Sequence, residues 1–273
     1  MRHLGMIVIL ALLFFVCLAV VAGAQSAEEW LQKGVEYSNN GDYEKALECD
    51  TKAIELAPDL AKAYYYRGID FDDLGRYDEA IADYTKAIEL DPGYAMTYNN
   101  RGWAYINLGR YDEAIADFTK TIELIPEEAS LYGVRGWCYQ ESDRYEEAVS
   151  DYTKAIELNP GNPYYFNARG WNYYLKGDYT KALEDVNISL DLDPNSPASL
   201  DTRANVYREL GRYDEAMADI ERAIELDPDA EWAYWTRGLI YRDIGDVEKA
   251  KADLKKACDM GEDKACNALA ELE

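Results

Sequence analysis

Apolar and small residues recur along this chain with a spacing typical of helices. In residues 61–94, Tyr64, Gly68 and Phe71 are separated by four and then three positions, and Ala80 and Tyr84 begin a second run of the same kind. Residues three or four positions apart share one face of an α-helix. The pattern therefore predicts two consecutive helices, each with one buried face.

Turn-forming residues separate the two predicted helices. Gly75 lies between them, where a helix ends and a positive φ is often needed. Asp143 holds the same place in a later copy, and Asp tolerates that conformation better than most residues. Pro92 follows the second helix, because proline cannot continue it without losing a hydrogen bond.

The two-helix pattern recurs seven times without a shift of register, and position 20 of every copy is alanine. A period of this length indicates a stacked array of two-helix units. Residues 265–273 are expected to complete a C-terminal cap helix. The seven copies are residues 27–60, 61–94, 95–128, 129–162, 163–196, 197–230 and 231–264.

The repeat resembles the tetratricopeptide repeat family over residues 27–264. It has an aromatic residue at position 4, glycine at 8, tyrosine at 11, alanine at 20, a ring at 24, a small residue at 27 and proline at 32. The resemblance implies an all-α, right-handed superhelical solenoid of seven tandem helix-turn-helix repeats. The end copies depart from the pattern, with Asp50 in place of a ring and Glu262 in place of proline, as exposed terminal repeats often do.

Two positions of the repeat change together along the chain. Position 7 is arginine and position 23 is aspartate in copies two to seven, whereas the first copy has Lys33 and Cys49. This predicts structural ion pairs, bidentate where geometry permits, either within one copy or between neighbours. The predicted pairs join Arg67 with Asp83, Arg101 with Asp117, Arg135 with Asp151, Arg169 with Asp185, Arg203 with Asp219, and Arg237 with Asp253.

Residues 1–24 differ from the rest of the chain. Arg2 and His3 precede an apolar run from Leu4 to Ala22, and the small-x-small sequence 22–24 follows. These features predict a signal peptide that is cleaved after Ala24. The run is also long enough to span a bilayer, so an uncleaved membrane anchor is the alternative. Both place the repeats outside the cytoplasm, as a secreted, periplasmic or cell-surface protein.

The charge of the chain argues against two classes of partner. Without Arg2, the cleaved chain has 27 Lys and Arg against 53 Asp and Glu, a net charge of −26. Nucleic acid and anionic lipid both attract basic surfaces, so neither is an expected partner. Contact with a membrane is expected only through an uncleaved N-terminal segment.

The sequence around Cys258 and Cys266 resembles the Sel1-like repeats, a related family. Its cysteine-rich members join two such positions by a disulfide, which here would fasten the terminal cap. Two reduced thiols in the core are the alternative. Cys49 and Cys138 are isolated in sequence and are expected to be small buried residues.

Catalytic signatures are missing from the repeats. The only histidine is His3, so nucleophile–histidine pairs and most zinc sites are excluded after cleavage. No glycine-rich phosphate-binding loop occurs either. We therefore expect a protein that is not an enzyme and holds no cofactor or metal.

A second stripe on the first helix of each copy, at positions 2, 5, 9 and 12, is the expected binding face. The family resemblance implies that this stripe lines a concave groove for ligands. In copies three to five it carries no charge and has a tryptophan at position 9 each time. The candidate peptide-binding residues are Tyr65, Met96, Asn99, Trp103, Trp137, Asn167, Trp171 and Tyr174.

The sequence thus favours a non-catalytic interaction module or assembly scaffold that binds a protein or peptide segment in an uncharged aromatic groove. A carbohydrate-binding or enzymatic site in the same groove is the alternative. The tryptophans could instead pack between neighbouring helices and be mostly buried. The lysines of the family's carboxylate clamp are missing, so capture of a chaperone's C-terminal carboxylate is not expected.

Overall fold

The computed structural model describes residues 25–272, and these residues form fifteen α-helices and no strand. The signal-peptide prediction for residues 1–24 lies outside the described residues. The helices are α1 (Ala27–Asn39), α2 (Tyr43–Leu56), α3 (Ala61–Asp73), α4 (Tyr77–Leu90), α5 (Ala95–Asn107), α6 (Tyr111–Leu124), α7 (Ala129–Glu141), α8 (Tyr145–Leu158), α9 (Pro163–Leu175), α10 (Tyr179–Leu192), α11 (Pro197–Glu209), α12 (Tyr213–Leu226), α13 (Glu231–Ile244), α14 (Val247–Asp259) and α15 (Asp263–Ala270).

The turn inside each repeat follows from the residue that ends its first helix. After α3, Gly75 has a φ of 72°, and the N–H of Arg76 donates to the carbonyl of Phe71 at 2.8 Å. Asp143 takes the same left-handed conformation in the fourth repeat, with a φ of 56°. The chain therefore reverses after every odd-numbered helix up to α13, as the sequence predicted.

Small residues let the two helices of a repeat approach closely. A Cβ on Gly68 would lie 2.7 Å from Cε1 of Tyr84, so the ring at position 24 fills the space left by the glycine at position 8. The alanine at position 20 has no exposed surface in any repeat, as expected of a small residue in a close-packed interior. These alanines are Ala46, Ala80, Ala114, Ala148, Ala182, Ala216 and Ala250.

Tyrosine hydroxyls at position 4 link a repeat to the loop before it. Tyr64 donates to the carbonyl of Pro58 at 3.2 Å, and Tyr234 donates to the carbonyl of Pro228 at the same distance. The proline at position 32 therefore ends a helix and also presents an acceptor to the next repeat.

The chain divides into two compact units, one ending at Asp117 and the other beginning at Phe118. In unit 1, apolar clusters form around Tyr84 and around Leu31. In unit 2, one apolar cluster surrounds Ile220, and a smaller one joins α15 to the last repeat. None of the described helices has the length and apolar character needed to cross a membrane.

The interior of unit 1 contains a pair of buried carboxyl groups. Asp50 occupies position 24 of the first repeat, and Asp70 occupies position 10 of the second. Asp50 is 0% exposed and Asp70 is 1% exposed. Burial and the neighbouring carboxyl raise the pKa of Asp50 to about 8, and burial also raises the pKa of Asp70.

Candidate functional site

The structure brings every predicted Arg–Asp pair together within a single repeat. The Nε of each arginine lies 2.6 to 2.7 Å from one carboxylate oxygen, and Nη2 contacts the other, so all six pairs are bidentate. They join Arg67 to Asp83, Arg101 to Asp117, Arg135 to Asp151, Arg169 to Asp185, Arg203 to Asp219, and Arg237 to Asp253.

A third hydrogen bond of the same arginine reaches the preceding repeat. Nη1 of Arg101 donates to the hydroxyl of Thr85 at 2.9 Å, and Nη1 of Arg203 donates to Oδ1 of Asn187 at 2.9 Å. Arg67, Arg135 and Arg169 make the same bond to a threonine at position 25 of the repeat before them. The sequence analysis did not predict this link, although the threonine that recurs at position 25 could have indicated it.

A disulfide joins Cys258 of α14 to Cys266 of α15, with 4.8 Å between their Cα atoms. It fixes α15 against the last repeat, where Ala265 is buried beside Leu254. Cys49 and Cys138 are free thiols and both are buried.

The candidate binding residues of unit 1 have two different environments. Met96 and Trp103 are 44% and 45% exposed, and Asn99 is half-buried. Tyr65 is buried instead, because its ring packs edge-on against Tyr66 and Tyr94 at centroid distances of 5.2 and 5.1 Å. Tyr65 thus packs against its neighbours in this structure, and its peptide-contacting role stays a prediction.

The candidate residues of unit 2 lie on α7 and α9. Trp137 and Asn167 are half-buried. Trp171 and Tyr174, one turn apart on α9, stack with a centroid distance of 4.9 Å and an interplanar angle of 27°. Trp171 and Tyr174 also line a cavity formed with the next two repeats, whereas Trp137 and Asn167 are not among its lining residues.

We call this cavity the aromatic pocket. Its volume is about 360 Å³, within the usual range of ligand sites. Three of the six tryptophans of the chain line it, together with polar residues of α11 and α13 and two residues from the cap. The lining residues are Trp171, Tyr174, Leu175, Asp201, Asn205, Arg208, Trp232, Trp235, Thr236, Leu239, Glu262 and Lys264.

The polar side of the pocket is a network on α11 and α13. The amide of Asn205 donates to Oδ2 of Asp201 at 3.1 Å and to the hydroxyl of Thr236 at 3.2 Å. Nη2 of Arg208 lies 2.5 Å from Glu209, and its Nε lies 3.5 Å from Asp243. Acidic neighbours therefore offset much of the positive charge of Arg208.

Several buried polar atoms of the pocket have no hydrogen-bond partner among the described residues. They are Oδ1 of Asp201, Nε and Nη1 of Arg208, and Nε1 of Trp235. Burial raises the pKa of Asp201 to about 7, although Thr236 and Arg208 act in the opposite direction. Leaving such groups unpaired is unfavourable, so a ligand that paired them would gain affinity.

Lys264 and the disulfide connect the cap to this pocket. Nζ of Lys264 lies 5.6 Å from the ring centroid of Trp235, within reach of a cation–π interaction. Glu262 and Lys264 both belong to the loop that the Cys258–Cys266 bond closes. The disulfide therefore holds one wall of the pocket in place.

The aromatic pocket and the predicted binding residues share one stripe of the first helices but are centred on different repeats, and the predicted binding role stays a prediction. Eight of the lining residues occupy positions 2, 5, 9 and 12, but in repeats five to seven rather than three to five. Asp201 and Arg208 lie on the same stripe at its charged end. The sequence signal for the pocket was that Trp232 and Trp235 lie on the same stripe as these charged residues.

Nothing in residues 25–272 gathers three or more His, Cys, Asp or Glu side chains in a way that could hold a metal ion. The lining of the aromatic pocket combines aromatic rings and leucines with Thr236, Asn205 and four charged side chains. Such a lining suits recognition of an organic ligand.

Family models match nearly the whole array of repeats. The tetratricopeptide repeat model matches residues 27–60, 61–94, 95–128, 129–162 and 163–196, and related models cover 204–242 and 233–263. The chain belongs to the tetratricopeptide repeat family. This fold commonly mediates protein–protein interaction and is typically a non-catalytic scaffold.

Solved tetratricopeptide repeat structures share the fold. A tetratricopeptide repeat protein from Parabacteroides merdae ATCC 43184 is 26% identical, with a TM-score of 0.72 over 91% of this chain and 98% of that one. YrrB, described as a TPR protein with an unusual peptide-binding site, is 24% identical, with a TM-score of 0.58 over 68% of this chain and 96% of its own.

MamA is 22% identical, with a TM-score of 0.59 over 62% of this chain and 92% of its own. At this level of identity, MamA and YrrB show the fold alone. No curated protein sequence matches the chain.

Proposed function

We propose that this tetratricopeptide repeat protein is an exported, non-catalytic interaction module that binds a peptide segment of a partner protein in the aromatic pocket. The observation that carries the proposal is the pocket itself. Three tryptophans converge there with unpaired buried donors and an unpaired acceptor. Aromatic anchors beside unsatisfied polar groups are the usual composition of a binding hot spot.

Two features of the chain support a peptide as the occupant. The fold commonly mediates protein–protein interaction, and the same fold carries a peptide-binding site in YrrB. The pocket also lies on the stripe that the sequence marks as the binding face. We propose that the bound segment continues from the pocket along α9 toward Asn167 and then toward Trp137 of α7, on the same stripe.

Export is a separate part of the proposal and rests on residues 1–24. The Cys258–Cys266 disulfide supports it, because disulfides persist in oxidising compartments. A Sel1-like relationship of the cap also belongs to this proposal. Fractionation of cells with N-terminal sequencing tests export, and a protein recovered from the cytoplasm with residue 1 intact contradicts it.

Selection of random displayed peptides on the purified protein tests the binding role. We expect an enriched peptide whose affinity falls at least tenfold in Trp235→Ala, since a buried hot-spot ring contributes about 2 kcal/mol or more. Trp137→Ala is expected to weaken binding less, and circular dichroism should show nearly unchanged helicity in both variants.

Trp30→Ala is the matched control, because Trp30 is a half-buried tryptophan of the first repeat, in unit 1. Equal affinity of the selected peptide for wild type and Trp235→Ala would place the binding surface elsewhere. Loss of helicity in Trp235→Ala would identify that ring as part of the core instead.

A further inference from the structure

The buried polar atoms of the aromatic pocket define the kind of group that fits it. Trp235 Nε1 and Arg208 Nη1 are donors, and Asp201 Oδ1 is an acceptor. All three atoms are buried and lack a hydrogen-bond partner within the described part of the chain. A matching group must therefore accept hydrogen bonds and also donate one.

The charges around these atoms disfavour an ionic ligand of either sign. Arg208 is already close to Glu209 and Asp243, at 2.5 and 3.5 Å, so its attraction for a further anion is reduced. An anion would also approach Asp201 and Glu262, and a cation would approach Arg208 and Lys264. Burying an unpaired charge there would be costly.

We infer that the aromatic pocket recognises an uncharged amide of an extended peptide, with an adjacent apolar side chain against the tryptophans. An amide N–H can donate to Asp201, and carbonyl oxygens can accept from Arg208 and Trp235. The walls formed by Trp171, Trp232 and Leu239 suit an aliphatic or aromatic side chain. This inference rests on the proposed function, because it assumes a peptide occupant.

The ionisation of Asp201 supplies a second, independent readout. A carboxylate is a stronger acceptor than a carboxylic acid, so amide binding favours ionised Asp201. The groups facing it are Arg208 and Asn205 on its own helix, Tyr174 of α9, Thr236 of α13, and Glu262 and Lys264 at the cap. With its pKa raised to about 7, affinity should increase from pH 6 to pH 8, by at most about tenfold.

Three leucine derivatives with the same side chain test the inference on the full protein. N-acetylleucine amide is neutral, N-acetylleucine is an anion and leucine amide is a cation at neutral pH. Binding is followed by tryptophan fluorescence and by NMR line shifts of the indole N–H groups. We expect the neutral compound to bind at least tenfold more tightly than either ion.

Asp201→Asn is expected to remove the pH dependence of N-acetylleucine amide binding while keeping the helical spectrum of the protein. Asp191→Asn is the matched control, because Asp191 is an exposed aspartate of unit 2 outside the pocket lining. This substitution should change neither the pH dependence of binding nor the helical spectrum. Preference for N-acetylleucine, or affinity that falls as pH rises, would overturn the inference in favour of an anion site.

The remaining outcomes also decide the question. Preference for leucine amide would identify a cation site, and saturable binding of methyl glucoside alone would identify a glycan site. No binding of the neutral amide at its solubility limit would overturn the inference as well. If Trp235→Ala still weakens binding of the selected peptides in any of these cases, the proposed function remains supported.

Discussion

Two neighbouring repeats of unit 1 and two of unit 2 differ at one buried place. Position 24 of one repeat and position 10 of the next are Asp50 and Asp70 in unit 1, and Ile220 and Ile240 in unit 2. All four side chains are at most 1% exposed. The isoleucines belong to one apolar cluster, whereas the aspartates place two interacting carboxyl groups in the interior.

This difference shows that the repeat fixes the burial of a position but not its chemistry. The alanine at position 20 and the glycine at position 8 already bring the helices together. The interior of a repeat can therefore hold a destabilising pair of carboxyl groups, because the residues around the pair are well packed. Buried groups of this kind make the stability of unit 1 dependent on pH.

The largest expected effect comes from moving the carboxyl into unit 2. Ile220→Asp should lower the free energy of unfolding at pH 8 by about 4 kcal/mol, because it buries an unpaired charge and removes apolar contacts. Ile220→Val, which only removes a methylene, should cost about 1 kcal/mol. Urea unfolding measures both, and equal costs would show that the site in unit 2 tolerates a carboxyl.

The next effect concerns the carboxyl pair itself. The pKa of Asp50 is raised from its ordinary value to about 8, so its contribution to stability is present below pH 4 and is lost as pH rises through 8. Asp50→Asn should raise the free energy of unfolding at pH 8 by about 2 kcal/mol and flatten its pH dependence. Hydrogen exchange of amides in α2 and α3 gives the local readout.

Asp78→Asn is the control for this experiment, because Asp78 is an exposed aspartate of the same unit. Local measurement is needed because Asp201 titrates in unit 2 over a similar range. Protection in α2 and α3 that is independent of pH in wild type would contradict the assignment of the pair.

The smallest effect compares the two ends of the array. The last repeat is fastened by the Cys258–Cys266 bond, and no disulfide is found in the first repeat, residues 27–60. Converting both cysteines to serine should destabilise the last repeat by about 2 kcal/mol, the entropy of a short closed loop. Hydrogen exchange should increase in α14 and α15 and stay constant in α1 and α2.

The double serine variant should also bind the selected peptide more weakly, because Glu262 and Lys264 lie in the loop that the bond closes. A reductant should have no further effect on this variant, which serves as its own control. Unchanged exchange in α15 after loss of the bond would show that the contacts of Ala265 hold the cap alone.

The helices, their turns and the repeat family follow directly from the sequence, because the same local pattern appears seven times. Gly75 and Asp143 marked turns that the structure contains. The site was harder to predict, because it depends on which copies differ from the pattern. Tyr65 looked like a groove residue by position, yet its neighbours Tyr66 and Tyr94 bury it.

A residue's position in the repeat does not show which side chains of other repeats it contacts. Asp201 and Arg208 are about two turns apart on α11, but their unpaired atoms matter only because Trp235 comes from the next first helix. Spacing along one helix does not report such distances. The bond from five of the arginines to position 25 of the preceding repeat was missed for the same reason.

The hydrogen bond from arginine to position 25 of the preceding repeat affects how such a gene can lengthen by duplication. Copies two to five each encode both the arginine that reaches backward and the threonine or asparagine that receives the next arginine. Duplicating one segment in frame therefore adds a donor and an acceptor together. A copy of this kind could multiply in this way without leaving an unmatched guanidinium at the new junction, whereas copy six has Glu221 at position 25.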